Sequence, residues 1–142
     1  MPRYSSKSAA RLETCNHHLQ ILFNELIKHR DCSILCGQRD EATQNLAFFA
    51  GVSKVQYPNS KHNTSPSNAV DAVPYINGRA CFDTENCRMF AGYVKGFADA
   101  MNLGGRISCR IRSGADWDTD GDVHDQSFHD LCHFEIVERS RQ

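Results

Sequence analysis

Apolar residues at Leu12, Cys15, Leu19, Leu22, Phe23 and Leu26 recur in steps of three and four, which predicts one amphipathic helix over residues 10–29. Ahead of it, residues 1–9 are mostly polar and read as a flexible tail. Residues 33–36 (SILC) form a short strand stopped by Gly37. Residues 41–50 make a second helix, with Asp40 at its N-cap and Gly51 just past its end. Residues 52–68 are polar and rich in Ser, Asn and Pro, a length at which loops in compact domains carry function or disorder. Residues 69–75 alternate as a strand that runs into an Asn77-Gly78 turn. Phe90, Tyr93, Val94, Phe97 and Met101 mark a third helix over residues 85–102, with Gly104 after it. RISCRIR, residues 106–112, sets Ile and Cys against Arg as a half-buried strand, and a second polar loop, 113–131, leads to a last strand at 132–137. Helices and strands mix without regular βα alternation. The expected class is α+β, a small antiparallel sheet flanked by about three helices in a single domain over residues 10–138.

Composition narrows the picture without naming a chemistry. A chain of 142 residues suits one domain with a real core. With 40% apolar and 23% charged residues and a formal net charge of −1, nothing argues for nucleic acid or an anionic membrane as partner. No apolar run approaches the roughly 20 residues that span a bilayer, and no apolar stretch follows the polar start MPRYSSKSAARLE, so no signal peptide is expected. Seven cysteines, an odd number, point to reduced thiols in a cytosol. They sit mainly in apolar patterns as small packing residues, and none has Cys-x-x-Cys spacing, which argues against a cysteine zinc finger.

Chemistry gathers where the two polar loops enter strands. His62 lies in the first loop and Asp71 follows nine positions later, sharing a strand face with Ala69 and Val73. An ionised aspartate among such neighbours is costly to bury unless paired or metal-bound. His133 begins the last strand and Asp130 stands three residues before it. Two histidines and a carboxylate suffice for zinc with one position left open. A further carboxylate such as Asp130 then suits proton transfer, and a cation such as Arg39 suits an oxyanion or a substrate carboxylate. Taken singly, a loop histidine is ordinary, and Asp130 fits a turn equally well.

The combination Ser60-x-His62, Ala69-x-Asp71 with Pro74, and Asp130-x-x-His133 resembles the zinc peptidases that comprise D-alanyl-D-alanine carboxypeptidases and L-alanyl-D-glutamate endopeptidases, in particular single-domain phage endolysins. Gly37-x-Arg39 with Gln44, the stretch from Ala69 to Arg79, and Gly114-Ala-Asp-Trp-Asp118 are similar to further blocks of that family, in the same order. The resemblance implies zinc at His62, Asp71 and His133 on the sheet face, Asp130 as general base, Arg39 as substrate or oxyanion cation, and Ser60 and Gln44 as substrate contacts or loop supports. It implies a monomer that cuts peptidoglycan stem peptides between L-alanine and D-glutamate, held in the host bacterial cytoplasm before lysis. The rivals are a D,D- or L,D-carboxypeptidase on the same fold and a non-catalytic zinc-stabilised binding module. The His62-to-Asp71 gap is longer than the family's usual spacing, and the extra residues fall in NTSPSN, where insertion costs little.

Asp116, Asp118, Asp120 and Asp122 alternate, with Gly121 sixth from Asp116, as an EF-hand loop begins. Position 12 is Ser127 rather than Glu, which argues against a full EF-hand and leaves a solvated turn or an incomplete calcium site. Similarity to calcium-regulated endolysins implies the latter, with Ca²⁺ at Asp116, Asp118 and Asp120 as regulator.

Overall fold

The computed structural model describes residues 2–124 and 130–137. Ser127 and the expected domain end at residue 138 lie outside that range. The elements run α1 (Ser6–Glu13), α2 (His17–Leu26), β1 (Cys32–Cys36), α3 (Glu41–Phe49), a 3₁₀ turn (Lys61–Asn63), β2 (Ala69–Ile76), β3 (Arg79–Ala80), α4 (Thr84–Leu103), β4 (Arg110–Ser113) and β5 (His133–Val137). The sheet order is β1-β2-β5-β4, with β3 added to the end of β2, and every pairing is antiparallel. The architecture is α+β, as expected, with four helices among the described residues where about three were expected.

Two expectations at the N-terminus are corrected together. The single helix over residues 10–29 is two, because Asn16 leaves the helical path and caps α2 through its side chain, which accepts from His18 N. Cys15 meanwhile bridges Ser67, so the break joins this corner to the long loop. Residues 6–9, expected within a flexible tail, lie in α1. Ser5 caps α1, buried Ser8 accepts from Ile34 N at 3.0 Å, and the Tyr4 hydroxyl donates to Phe23 O at 2.6 Å. α1 thereby covers the edge strand β1, whose backbone would otherwise be open. Gly37 permits the close crossing: a Cβ there would lie 2.4 Å from Arg11 O.

The strand expected at 106–112 is also shorter. Residues 106 and 107 turn back on α4, both of their N–H groups reaching Met101 O, while the Asn102 amide donates to the carbonyls of Ile107 and Cys109. Only from Arg110 does the backbone become free to pair with β5.

The core lies between one sheet face and the pair α2 and α4. Leu19, Leu22, Phe23 and Leu26 meet Phe90, Val94, Ala98 and Met101 over Ile34, Val70, Ala72, Ile111 and Phe134. Phe134 is fully buried and meets Phe23 and Phe90 edge-on, with ring centroids 5.9 and 6.2 Å away. That packing locks the register of β5. Because side chains alternate across a strand, burying Phe134 turns His133 and Glu135 to the other face.

Candidate active site

The second sheet face is where the predicted residues meet. The register places Asp71 opposite Cys36 on one side and opposite His133 on the other, so the three lie in one row across β1, β2 and β5. His62 arrives from the 3₁₀ turn. Ser60 caps that turn by accepting from His62 N, and Asn63 completes a capping box with Ser60. Arg39 N donates to His62 O at 2.7 Å, and the Asn63 amide donates to Arg39 O at 3.0 Å, which ties the turn to the segment after β1.

Both imidazoles approach one carboxylate oxygen. His62 Nε2 and His133 Nδ1 each lie 3.2 Å from Asp71 Oδ1. Their remaining nitrogens are committed: His62 Nδ1 donates to Gly37 O at 2.7 Å, and His133 Nε2 donates to Glu135 Oε1 at 2.8 Å. Each ring therefore keeps a proton on its outer side and turns the other nitrogen toward Asp71, the arrangement that prepares histidines as metal ligands. Donor atoms within 4.8 Å of one another form two sets that share Asp71, one with Cys36 and His62 and one with Asp130 and His133. This donor chemistry, nitrogen and carboxylate with a thiol alongside, fits a divalent transition metal.

Electrostatics without a metal follow from the crowding. Burial works against charge at both rings. The contacts of His62 with Asp71 and Cys36 outweigh it and raise that ring to about 10, and those of His133 with Asp71 and Glu135 raise it to about 9. Asp71, although buried, is held well below the ordinary carboxylate range by hydrogen bonds from His133 and His62. Burial of the Cys36 thiol is likewise outweighed, by its hydrogen bond with His62, and the thiol is lowered. Asp130 moves the other way: burial, and then the charge of Asp71, raise it. Its Oδ2 stands 4.0 Å from His133 Nδ1 and its side chain is 30% exposed.

A cavity of about 510 Å³ opens over this face, with Arg39, Ser60, His62, Asp71, Asp130 and His133 among its walls. Arg39 sits deep in it, only 11% exposed, with one guanidinium nitrogen 3.5 Å from Asp71 Oδ2 and the other donating to Gln44 Oε1. Gln44 is fully buried and stands behind the wall. Its amide nitrogen donates to Ser53 Oγ and Val55 O, so the side chain ties Arg39 to the loop.

Several neighbours do not stand out in the sequence. Glu135 is buried and accepts from Arg112 at 2.7 Å, with Lys61 3.2 Å from the same oxygen. A signal for it exists, since residues two apart on a strand share a face and His133 lies two before it. Arg112 faces Glu135 across β4 and β5, a pairing that no one-dimensional pattern displays. Cys36, expected as a packing residue, flanks His62 and Asp71. Trp117 brings its ring 5.5 Å from that of His133 and so joins the acidic loop to the site. In that loop Asp116, Asp118 and Asp120 do gather. Asp116 Oδ2 accepts from Gly121 N at 2.8 Å, and Asp116 Oδ1 is buried with no partner among the described residues.

Sheet order, helix placement and a donor cluster on the uncovered face together define a small α+β protein built around a metal-type site. The fold is that of the Serratia marcescens L-Ala D-Glu endopeptidase ChiX, which matches with a TM-score of 0.69 at 20% identity, over 95% of this chain and 90% of that one. The chain belongs to the phage L-alanyl-D-glutamate peptidase family, whose model matches residues 1–137. It is 32% identical to the L-alanyl-D-glutamate peptidase of Escherichia phage T5 over 141 residues, which span 95% of this chain and 98% of that protein. Family membership makes it a peptidoglycan-cleaving peptidase. No helix among the described residues is long and apolar enough to cross a membrane.

Proposed function

We propose that the protein is a zinc-dependent L-alanyl-D-glutamate endopeptidase, a phage endolysin that works as a monomer and is held in the host cytoplasm until the membrane opens. The observation that carries the zinc assignment is the pair of imidazoles on Asp71, each with its far nitrogen already donating, to Gly37 O and to Glu135. His62 Nε2, Asp71 and His133 Nδ1 would hold the metal. Bound there, zinc would supply Lewis acidity toward a scissile carbonyl and acidify a water.

The chain's own groups do the rest. Asp130 is raised above the usual aspartate range, so its carboxylate is a stronger base than a free aspartate, and it faces the cavity beside His133. It takes a proton from the attacking water at Oδ2 and passes it to the leaving amine nitrogen of D-glutamate. Arg39 keeps Asp71 oriented and places positive charge where an oxyanion would form. Ser60 holds the turn that presents His62, and Gln44 holds Arg39. Trp117 forms an apolar wall that limits water around His133.

Muropeptides released from purified sacculi, read by mass spectrometry with and without a zinc chelator, test this assignment. New L-alanine carboxyl ends paired with free D-glutamate amines are expected, and they should vanish with the chelator and return with zinc. Release of terminal D-alanine alone would refute it.

We also read the acidic loop as an incomplete calcium site, supported by the buried, unpartnered Oδ1 of Asp116 beside Asp118 and Asp120. Calcium there would steady the Trp117 side of the cavity. Equal activity with calcium and with a calcium chelator that spares zinc would refute this.

A further inference from the structure

The cavity carries a second cationic feature that is separate from Arg39 and more open. Lys61 and Arg112 come from opposite sides, one from the 3₁₀ turn and one from β4, and meet at a single oxygen of Glu135. Lys61 also donates to Ile136 O, which fixes its direction. The other oxygen of Glu135 is occupied by the ring proton of His133. Two cations thus share one carboxylate, and the wall keeps an excess positive charge. Both side chains line the cavity and remain partly exposed, Lys61 at 40% and Arg112 at 34%, against 11% for Arg39.

Arg112 is also underused. One terminal nitrogen donates to Glu135, the other makes only a long contact of 3.4 Å with Trp117 O, and Nε is buried with no partner among the described residues. The guanidinium carbon lies 5.5 Å from the Trp117 ring centre, so its plane is held rather than free to turn. A planar, always-charged guanidinium that remains partly exposed to the cavity, backed by a lysine, is a receptor for a carboxylate.

The substrate class supplies that carboxylate on chemical grounds. Glutamate has two carboxyl groups, and a peptide continues through only one of them. Beyond the scissile nitrogen, the glutamate therefore always carries a second carboxyl, either free or masked as an amide.

We propose that Arg112 and Lys61 form the anionic subsite that binds this free glutamate carboxylate and thereby set the enzyme's preference for unamidated stem peptides. The inference rests on the endopeptidase reading. Glu135 then has two jobs: it orients His133, and it holds the two cations side by side, ready for the substrate.

The test compares two synthetic peptides, N-acetyl-L-alanyl-D-glutamyl-L-lysine joined through the γ-carboxyl, one with the glutamate α-carboxylate free and the other with it as the carboxamide. The measured quantity is the ratio of their kcat/KM values. Wild-type enzyme should favour the free acid roughly 10- to 100-fold, the range for a charge-assisted hydrogen bond removed without replacement. Arg112→Gln should bring the ratio close to one, Lys61→Met should lower it part of the way, and Arg112→Lys should restore some of it. If Arg112 served only to position Glu135, both substrates would slow together and the ratio would stay at its wild-type value, which overturns the proposal. Equal cleavage of both peptides by wild type also overturns it. Failure to cut either peptide at the alanyl-glutamyl bond refutes the endopeptidase reading and this inference with it.

Discussion

Replacing Glu135 by leucine isolates what the buried carboxylate contributes to the site. The carboxylate serves three partners, and they depend on it unequally. Lys61 and Arg112 are partly exposed and turn to water when it goes, so those two effects are small. The third is the bond from His133 Nε2, 2.8 Å long between side chains 10% and 8% exposed, and no water readily replaces it. A hydrogen bond to a charged group in such a place contributes about 1.5–3 kcal/mol. Without it the His133 proton is no longer held on Nε2, and the tautomer that turns Nδ1 toward Asp71 loses its advantage. Zinc affinity should fall roughly 10- to 100-fold, the range found for residues that orient metal-binding histidines. Glu135→Gln keeps an acceptor for the same proton and should be less impaired. The assay is competition with a chromophoric chelator, supported by ring-nitrogen chemical shifts of His133. Wild-type affinity in Glu135→Leu, or identical losses in the two variants, would refute the tautomer argument.

Three further outcomes are expected. Asp130→Ala should lower hydrolysis of sacculi by roughly 10²–10⁴ while zinc stoichiometry and the unfolding midpoint stay near wild type; normal cleavage would remove Asp130 from the mechanism. Gly114→Ala should be nearly as damaging from outside the cavity, because its Cβ would lie 2.1 Å from Asp130 O and must push that loop away, a change visible as lost activity with far-UV dichroism intact. Metal-free protein should show a stability window in urea titrations across pH. His62 and His133 rise from an ordinary 6.5 to about 10 and about 9, so their contribution is complete below about 6.5 and fades as pH climbs through 9–10. Glu135 falls from 4.5 to about 2, so its contribution is complete above about 4.5 and fades as pH drops through 2. Zinc-loaded protein should lose the alkaline decline, since ligand histidines must be neutral; parallel curves with and without zinc would contradict this.

The one-dimensional pattern determined the class of fold and most of the donors. Helical steps and strand alternation are local properties, so α3, α4, β2 and β5 were legible to within a residue or two. Asp71 stood out because an ionised carboxylate among apolar strand positions conflicts with plain packing, whereas His62, Asp130 and His133 stood out only in combination with it. The break at Asn16 was hidden, because the apolar face of α1 continues in phase with that of α2 across a cap that needs Ser67 to complete the corner. The early part of RISCRIR carries a strand-like alternation without being a strand for a similar reason: its backbone hydrogen bonds go to the end of α4. Tertiary structure alone decided the row Cys36, Asp71 and His133, the placing of Lys61 and Arg112 on Glu135, and the crowding of Asp130 against Gly114. Those relations depend on strand register and on loop closure between residues as distant in sequence as Cys36 and His133. Register is set by which face is buried, here by Phe134 under α2 and α4, so the site exists because the opposite side of the sheet packs.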